Sequence, residues 1–513
     1  MLLDPLKRNN KNYFLFFAFL LLIIVTNWSS LRSPLVGDDE YFIHASLDPF
    51  FVSYPHFFLY ANSPFYFRPL VFMVWSLQYL LFGYSGLASH MINIMFQAGI
   101  AYLLYRFLTR LKVSQITALF VSLLFAINPM AVEVLSWSAG RGDCMSVFFI
   151  LLAMNLYLSY MRNPGKVFLG SFIISAIAAL LSKELAYLLL ILIPAMQLLF
   201  GGAALVESGQ DEGARGRGIS DDATDDETRK RSAHNASPKW VGVISLYAVF
   251  LVLTLIRYVL LGGMGGQYKL YGVPSLEAVS RTMVTLLAPF SDLEVSHGKI
   301  LLFVAYAGLL MLASFGLVIE RWKQAPVHSR RIWIFFLIFF GISFAPVFRR
   351  ALAIGISNNM EDSRFLYTTT LPLMALLVIG LLEFGSRRRA WRIMAVPAIA
   401  VLVPAFMIGT ERNSILWNQE ALVVDHIAHQ TASLLPSPPP DAKLYLDKAP
   451  SQVWHYYYGS GLDQAVRLAY GRRDLDIEIV DASPDSPELR DGYLFIYESS
   501  TNQLQFIRGP QTG

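Results

Sequence analysis

The chain has 513 residues, of which 55% are hydrophobic, 14% aromatic and only 15% charged, with a mean hydropathy of +0.47. That balance excludes a soluble globular protein and specifies a polytopic membrane protein. The net charge of +4 is too small and too unevenly placed for a nucleic-acid footprint, and a single cysteine, Cys144, excludes an intrachain disulfide or a cysteine metal cage.

The first apolar run, Tyr13 to Trp28, follows Lys7, Arg8 and Lys11 and has no small-residue cleavage site, so it reads as an uncleaved first helix. Just past it, Leu35-Val-Gly-Asp-Asp-Glu-Tyr41 carries two adjacent carboxylates, Asp38 and Asp39, to the membrane surface. Anchors at a bilayer edge are usually Lys or Arg, and acidic pairs there more often serve chemistry or transport. The loop 29–86 contains two aromatic-rich segments, Phe42 to Phe51 and Pro69 to Phe82. Both are too short to span about 30 Å of hydrocarbon, so interfacial helices roofing a cavity are expected.

Placing Pro69 to Phe82 on the surface sets the topology. Lys7, Arg8 and Lys11, then Arg106, Arg110 and Lys112, Arg162 and Lys166, Arg321, Lys323, Arg330 and Arg331, and Arg387 to Arg389 with Arg392 all fall on one side. The positive-inside rule makes that side cytoplasmic. Eleven spans follow, at 12–28, 87–108, 114–129, 144–161, 167–182, 185–201, 240–261, 298–320, 331–347, 365–385 and 391–410. The interval 202–239 is too polar and glycine-rich to bury a core and is expected as a disordered cytoplasmic loop. The expected fold is therefore all-α and polytopic over 1–410, followed by a small external α/β domain over 411–513. In that domain Lys443 to Asp447, Tyr493 to Tyr497 and Gln503 to Ile507 read as strands and Gly459 to Tyr470 as a helix.

This topology puts Asp38, Asp39, Arg68, Glu133, Arg141, Asp143, Lys183, Glu184, Arg349, Arg350, Glu361, Asp362 and Arg364 on the external side. External Arg and Lys run against the positive-inside bias. They either bind an anion or hold helix ends together by pairing with Glu133, Glu184, Glu361 and Asp362.

The residues also resemble a family. Gly37-Asp-Asp-Glu-Tyr41, Tyr66-Phe-Arg-Pro-Leu70, His90-Met-Ile-Asn93, Asn128-Pro-Met-Ala-Val-Glu133, Gly140-Arg-Gly-Asp143, Lys183-Glu184 and Glu361-Asp-Ser-Arg-Phe-Leu-Tyr367 occur in an order similar to that of the GT-C superfamily. Within it they resemble the O-mannosyltransferase branch whose members carry tetratricopeptide repeats, which this sequence does not show. Asn128 stands where that branch usually has His, and Gln97 where a second His is common. The motifs cover about 30–370 and leave the C-terminal domain outside the resemblance.

The resemblance implies a glycosyltransferase that takes a sugar, a mannose-like hexose, from a polyprenyl phosphate and gives it to a protein, glycan or lipid hydroxyl at the external face. The implied roles are Asp38 as base and Asp39 as its support. Arg68, Arg141, Lys183, Arg349, Arg350 and Arg364 are candidates for the donor phosphate, and Glu133, Asp143, Glu184, Glu361, Tyr367 and His90 support them. No cofactor is expected. A divalent metal beside Asp38 and Asp39 lacks a third and fourth ligand at suitable spacing. No nucleic-acid partner is expected, and the setting implied is a bacterial cytoplasmic membrane with the site facing the periplasm. A lipid-linked sugar flippase or exporter, and a polysaccharide polymerase or ligase, are the alternatives. The clustering of the motifs at one face argues against the first.

Overall fold

The computed structural model describes residues 4–35, 39, 42, 66–201, 225–263, 275–291, 296–354, 360, 362–385, 389–449, 460–472, 474–481 and 486–511. A helix lies over each of the eleven expected spans. These are α1 (Asp4–Thr26), then α2 (Pro69–Phe82) on the intervening loop, α3 (Gly86–Arg110), α4 (Gln115–Ala126), α5 (Arg141–Arg162), α6 (Lys166–Ser182) and α7 (Leu189–Phe200). There follow α8 (Asp225–Leu261), the short α9 (Leu276–Leu287), α10 (His297–Arg321), α11 (Val327–Ile354), α12 (Arg364–Ile379, continued by a π turn, Gly380–Phe384) and α13 (Arg389–Leu434).

Seven of these helices are long and apolar enough to cross a membrane. An eighth span results if α4 is counted with Pro129–Ser136, to which it is bent by 41°. Pro129 causes that bend. Its nitrogen has no proton for the helical ladder, and Asn128 Oδ1 accepts from the Met130 N–H at 2.9 Å, starting the chain afresh. Tyr13–Thr26, Lys166–Ser182 and Glu184–Phe200 are apolar but shorter. The protein is thus an integral, multi-pass membrane protein.

One apolar cluster unites the bundle, with Phe107, Phe125, Tyr157, Phe172 and Phe335 among its fully buried side chains. Its centre is α12, whose apolar stretch is 94% buried, whereas that of α10 is only 17% buried and shows Leu301, Leu302, Leu309 and Leu312 outward. A helix apolar all round belongs in the middle of a bundle. One with a bare leucine face belongs in lipid.

Pro69–Phe82 is a helix of 14 residues, about 21 Å at 1.5 Å per residue. It buries Val71, Phe72 and Trp75, and Phe42 stacks on Trp75 with ring centroids 6.0 Å apart. The rest of the segment 42–51 lies outside the described residues. The helix of the seventh expected span begins at Asp225, within the interval expected to be irregular, and 202–224 lie outside the described residues.

The last expected span does not end near 410, since α13 runs unbroken to Leu434 and crosses the boundary drawn there between body and domain. The polar residues Thr410, Glu411, Asn413 and Ser414 do not stop it, because each finds a partner. Beyond α13 come β1 (Lys443–Asp447), α14 (Ser460–Tyr470), β2 (Asp476–Val480), β3 (Tyr493–Glu498) and β4 (Gln503–Arg508). They form one sheet of order β2-β1-β3-β4, with β1 parallel to β2 and β3, and β3 antiparallel to β4. Three strands and the helix fall where the sequence places them, and β2 is additional. Ala421, Val424, Ile427 and Ala428 of α13 share a core with Leu444, Leu446, Val466 and Phe495, so this helix belongs to both units.

Candidate functional site

The motif residues come together around the turn between α4 and α5, Val132 to Arg141, and the bonds that hold the turn explain the spacing of the motifs. His90 and Asn93 lie three apart on α3, hence on one face. His90 Nδ1–H donates to the Leu135 carbonyl at 3.0 Å, and Asn93 Nδ2 donates to the carbonyls of Val134 at 3.0 Å and Ser138 at 3.3 Å. Both side chains are fully buried. They supply side-chain donors to carbonyls of this irregular backbone. Gly140 is required here, since a Cβ would stand 2.9 Å from the Val134 Cα, inside the turn.

Each end of the turn binds a charged motif residue. Glu133, 2% exposed, accepts the Arg364 backbone N–H at 2.8 Å and pairs with its guanidinium at 3.4 Å, and that guanidinium lies 4.5 Å over the Trp137 ring. The Ala139 N–H donates to Asp39 Oδ1 at 2.7 Å, which fixes the acidic-pair loop onto the turn. Asp143, in the first turn of α5, accepts from Lys183 Nζ at 2.5 Å. Burial pushes the Lys183 ammonium below its ordinary pKa, and Asp143 offsets part of that.

Arg141 differs from the other cations. It is fully buried and sits 4.0 Å over the Trp75 ring. Its Nε donates to Asn93 Oδ1 at 3.2 Å, and its Nη2 to Gln78 Oε1 at 2.6 Å and the Ser89 carbonyl at 3.3 Å. All of these acceptors are neutral, and Nη1 has no partner among the described residues. A buried guanidinium whose hydrogen bonds go to neutral acceptors keeps a donor, Nη1, for an anion that approaches.

Glu184 collects two guanidiniums. Arg68 donates through Nε at 3.2 Å and Nη2 at 2.7 Å, and Arg257 through Nη1 at 2.6 Å. The one carboxylate lies between two cations, and the Glu184 side chain keeps 26% of its surface open. Burial lowers the pKa of Arg68, but Glu184, together with Tyr66 and Asp143, more than offsets it and holds the guanidinium above its ordinary value.

Arg68, Arg141, Lys183, Arg364, Asp39, Glu133, Asp143, Glu184 and His90 are thus linked, directly or through one partner, to this turn and to its neighbour at Lys183-Glu184. Tyr367 is placed elsewhere in the bundle core, where its hydroxyl donates to Gln97 Oε1. Asp38, Glu361 and the side chains of Arg349 and Arg350 lie outside the described residues. Gln78, Trp75 and Arg257 are parts of the site that sequence reasoning missed. Arg257 had a readable signal, as the one charged residue in the apolar run 240–261. Among the described residues no three His, Cys, Asp or Glu side chains are grouped to hold a metal ion.

Comparison with known proteins agrees with the motifs. The family model of the GPI transamidase subunit PIG-U matches residues 48–293. Protein O-mannosyl-transferase Tmtc1 of Drosophila melanogaster is 35% identical over 128 residues, which is 24% of this chain and 15% of that protein. Human Protein O-mannosyl-transferase TMTC3 is 30% identical over 99 residues, or 19% of this chain and 10% of that protein. The matched stretches therefore take in only a small part of each relative. ArnT of Cupriavidus metallidurans in the apo state superposes with a TM-score of 0.48 at 13% identity, over 96% of this chain and 94% of its own. The same protein bound to undecaprenyl phosphate gives 0.43 at 12% identity, over 95% and 93% of the two chains. The resemblance of the chain to the O-mannosyltransferases is borne out by these relatives over the matched stretches.

Proposed function

We propose that the protein is a membrane glycosyltransferase that moves a hexose, mannose-like, from a polyprenyl phosphate to an acceptor hydroxyl. The reaction is a single in-line displacement. The acceptor oxygen forms its bond to the anomeric carbon as the bond from that carbon to the phosphate oxygen breaks, and the electron pair leaves with the polyprenyl phosphate. The acceptor's proton passes to Asp38, and the anomeric configuration inverts. Asp39 is engaged by the Ala139 N–H, so the base role goes to its neighbour in sequence.

The leaving phosphate gains negative charge, and fixed cations stabilise such charge best when they need not reorganise. Arg141 with its unpaired Nη1, the Arg68 and Arg257 pair at Glu184, and Lys183 and Arg364 are the cations for it, with Arg349 and Arg350 as further candidates. The proposal is carried by one observation: the turn Val132 to Arg141, with Asp143 next to it, binds Asp39, Arg364 and Lys183 and contains Arg141, so acid and cations are held by one piece of backbone.

The test is transfer of radiolabelled hexose from a polyprenyl phosphate to peptide, glycan and lipid acceptors by the full chain in liposomes. Asp38→Asn is expected to lose about 10²–10⁴-fold in turnover with the fold intact. Transfer that survives the substitution removes Asp38 as base. Donor translocation without transfer turns the reading to a flippase. The PIG-U match favours a second reading, a subunit of a transamidase-like complex, and absence of both transfer and translocation by the isolated chain would support it.

A further inference from the structure

The last helix of the bundle touches the chain that leads into the acidic pair, through residues that none of the motifs includes. On α13, Glu411, Ser414 and Asn418 are spaced by three and four, so they form one stripe. Each meets a residue at or just past the end of α1. Ser29 Oγ donates to Glu411 Oε1 at 2.7 Å, Ser414 Oγ donates to Asn27 Oδ1 at 3.4 Å, and Ser33 Oγ donates to Asn418 Oδ1 at 3.0 Å. The three bonds together fasten residues 27 to 33 along about two turns of α13.

The segment is also clamped from the opposite side. The Ser33 carbonyl stands 2.6 Å from where a Cβ on Gly86 would lie, so only glycine admits this approach. Leu35 then enters a buried cluster with Val71, Trp75 and Met145, and Trp75 is the ring under Arg141. Asp39 follows on the Ala139 N–H. The described residues on either side of Asp38 are therefore held by different elements, Ser33 by α13 and Asp39 by the turn. The distal part of the same helix lies in the core of the C-terminal sheet, and Leu468 of α14 packs on the cluster containing Leu35.

We propose that Glu411, Ser414 and Asn418 are positioning residues for the acidic pair, with α13 as the rigid rail that sets where Asp38 stands. This rests on the transferase reading for its kinetic consequence, and on geometry alone for its structural one. A misplacement of about 1 Å far from the reacting atoms costs turnover on the order of 10²-fold while leaving binding in place.

The test uses the full chain in liposomes with four variants. Glu411→Leu and Asn418→Leu remove the acceptors, whereas Glu411→Gln and Asn418→Asp keep an oxygen at the same place. The Leu variants are expected to lower kcat about 10–10²-fold with the donor KM unchanged, and the conservative variants to restore most of it. Hydrogen–deuterium exchange of the peptide from Ser33 to Asp39 is expected to rise in the Leu variants only, whether or not any transfer occurs. Unchanged exchange in both Leu variants overturns the proposal, as does equal loss of kcat in the Leu and conservative variants. A wild type without transfer but with the exchange pattern intact refutes the transferase reading and leaves the rail standing.

Discussion

The membrane body and the C-terminal domain both contain ion pairs, and they use them differently. In the body Glu133 and Arg364 have side chains 3% and 11% exposed, and Asp143 and Lys183 are nearly as enclosed. In the C-terminal domain Lys443 and Asp491 are 42% and 56% exposed, although their 2.6 Å separation is shorter than the 3.4 Å between Glu133 and Arg364. Distance alone therefore says little. Charges enclosed by protein have lost their water and keep their field, whereas exposed pairs are screened and contribute about 0–1 kcal/mol. The body gathers the costly kind at one turn, and the Lys443–Asp491 pair of the domain is the inexpensive kind at its surface.

The largest break in this contrast should come from Glu133→Ala, which leaves the Arg364 charge enclosed without its carboxylate. Thermal unfolding in detergent should show a loss of about 3–5 kcal/mol, and Glu133→Gln a smaller one because it retains an acceptor for the Arg364 N–H. Arg257→Gln is next. It keeps the Arg68 bond to Glu184 but removes one of the two guanidiniums there, so the donor KM should rise about tenfold, the worth of one charged hydrogen bond. An unchanged KM would place the phosphate away from Glu184.

Lys443→Ala marks the other end of the scale, with a change within about 0.5 kcal/mol in the same unfolding measurement. The smallest effect concerns acid. Arg472 holds the Asp474 carboxylate down to about 2, and Lys443 followed by Tyr445 hold Asp491 below its ordinary value. A carboxyl group with a lower pKa in the folded state stabilises fully above the unfolded value, about 3.9, and loses that as pH falls through the folded one. A slight weakening of the C-terminal domain confined to pH below about 4, reduced in Asp474→Asn and absent when Asp491→Asn is added, is the expected result in an acid titration followed by circular dichroism.

Much of the fold was legible because the solvent leaves few choices. Runs such as 298–320 and 365–385 must be helical in lipid, where every backbone group needs an internal partner. Where lipid ends, legibility ends. The continuation of α13 past 410 depends on side-chain partners from Asn27, Ser29 and Ser33, and the sequence there looks merely polar. The strand Asp476–Val480 alternates charge and apolar residue, a short signal that becomes a strand because β1 pairs with it. Of the site, the charged motif residues could be read but their partners could not. Lys183 and Glu184 are adjacent in sequence, yet one binds Asp143 and the other Arg68 and Arg257.

The sequence by itself determined which stretches are helices of a membrane bundle and which charges stand out as too costly to be incidental there. Only the tertiary structure decided which of those charges neutralise one another, that the hydrogen bonds of Arg141 go to Asn93, Gln78 and Ser89, and that α13 grips the chain before Asp38. The physical reason is that apolar periodicity is a local property of the chain. Pairing depends on side chains far apart in sequence arriving within about 3 Å of each other, and the packing of the whole bundle alone decides that.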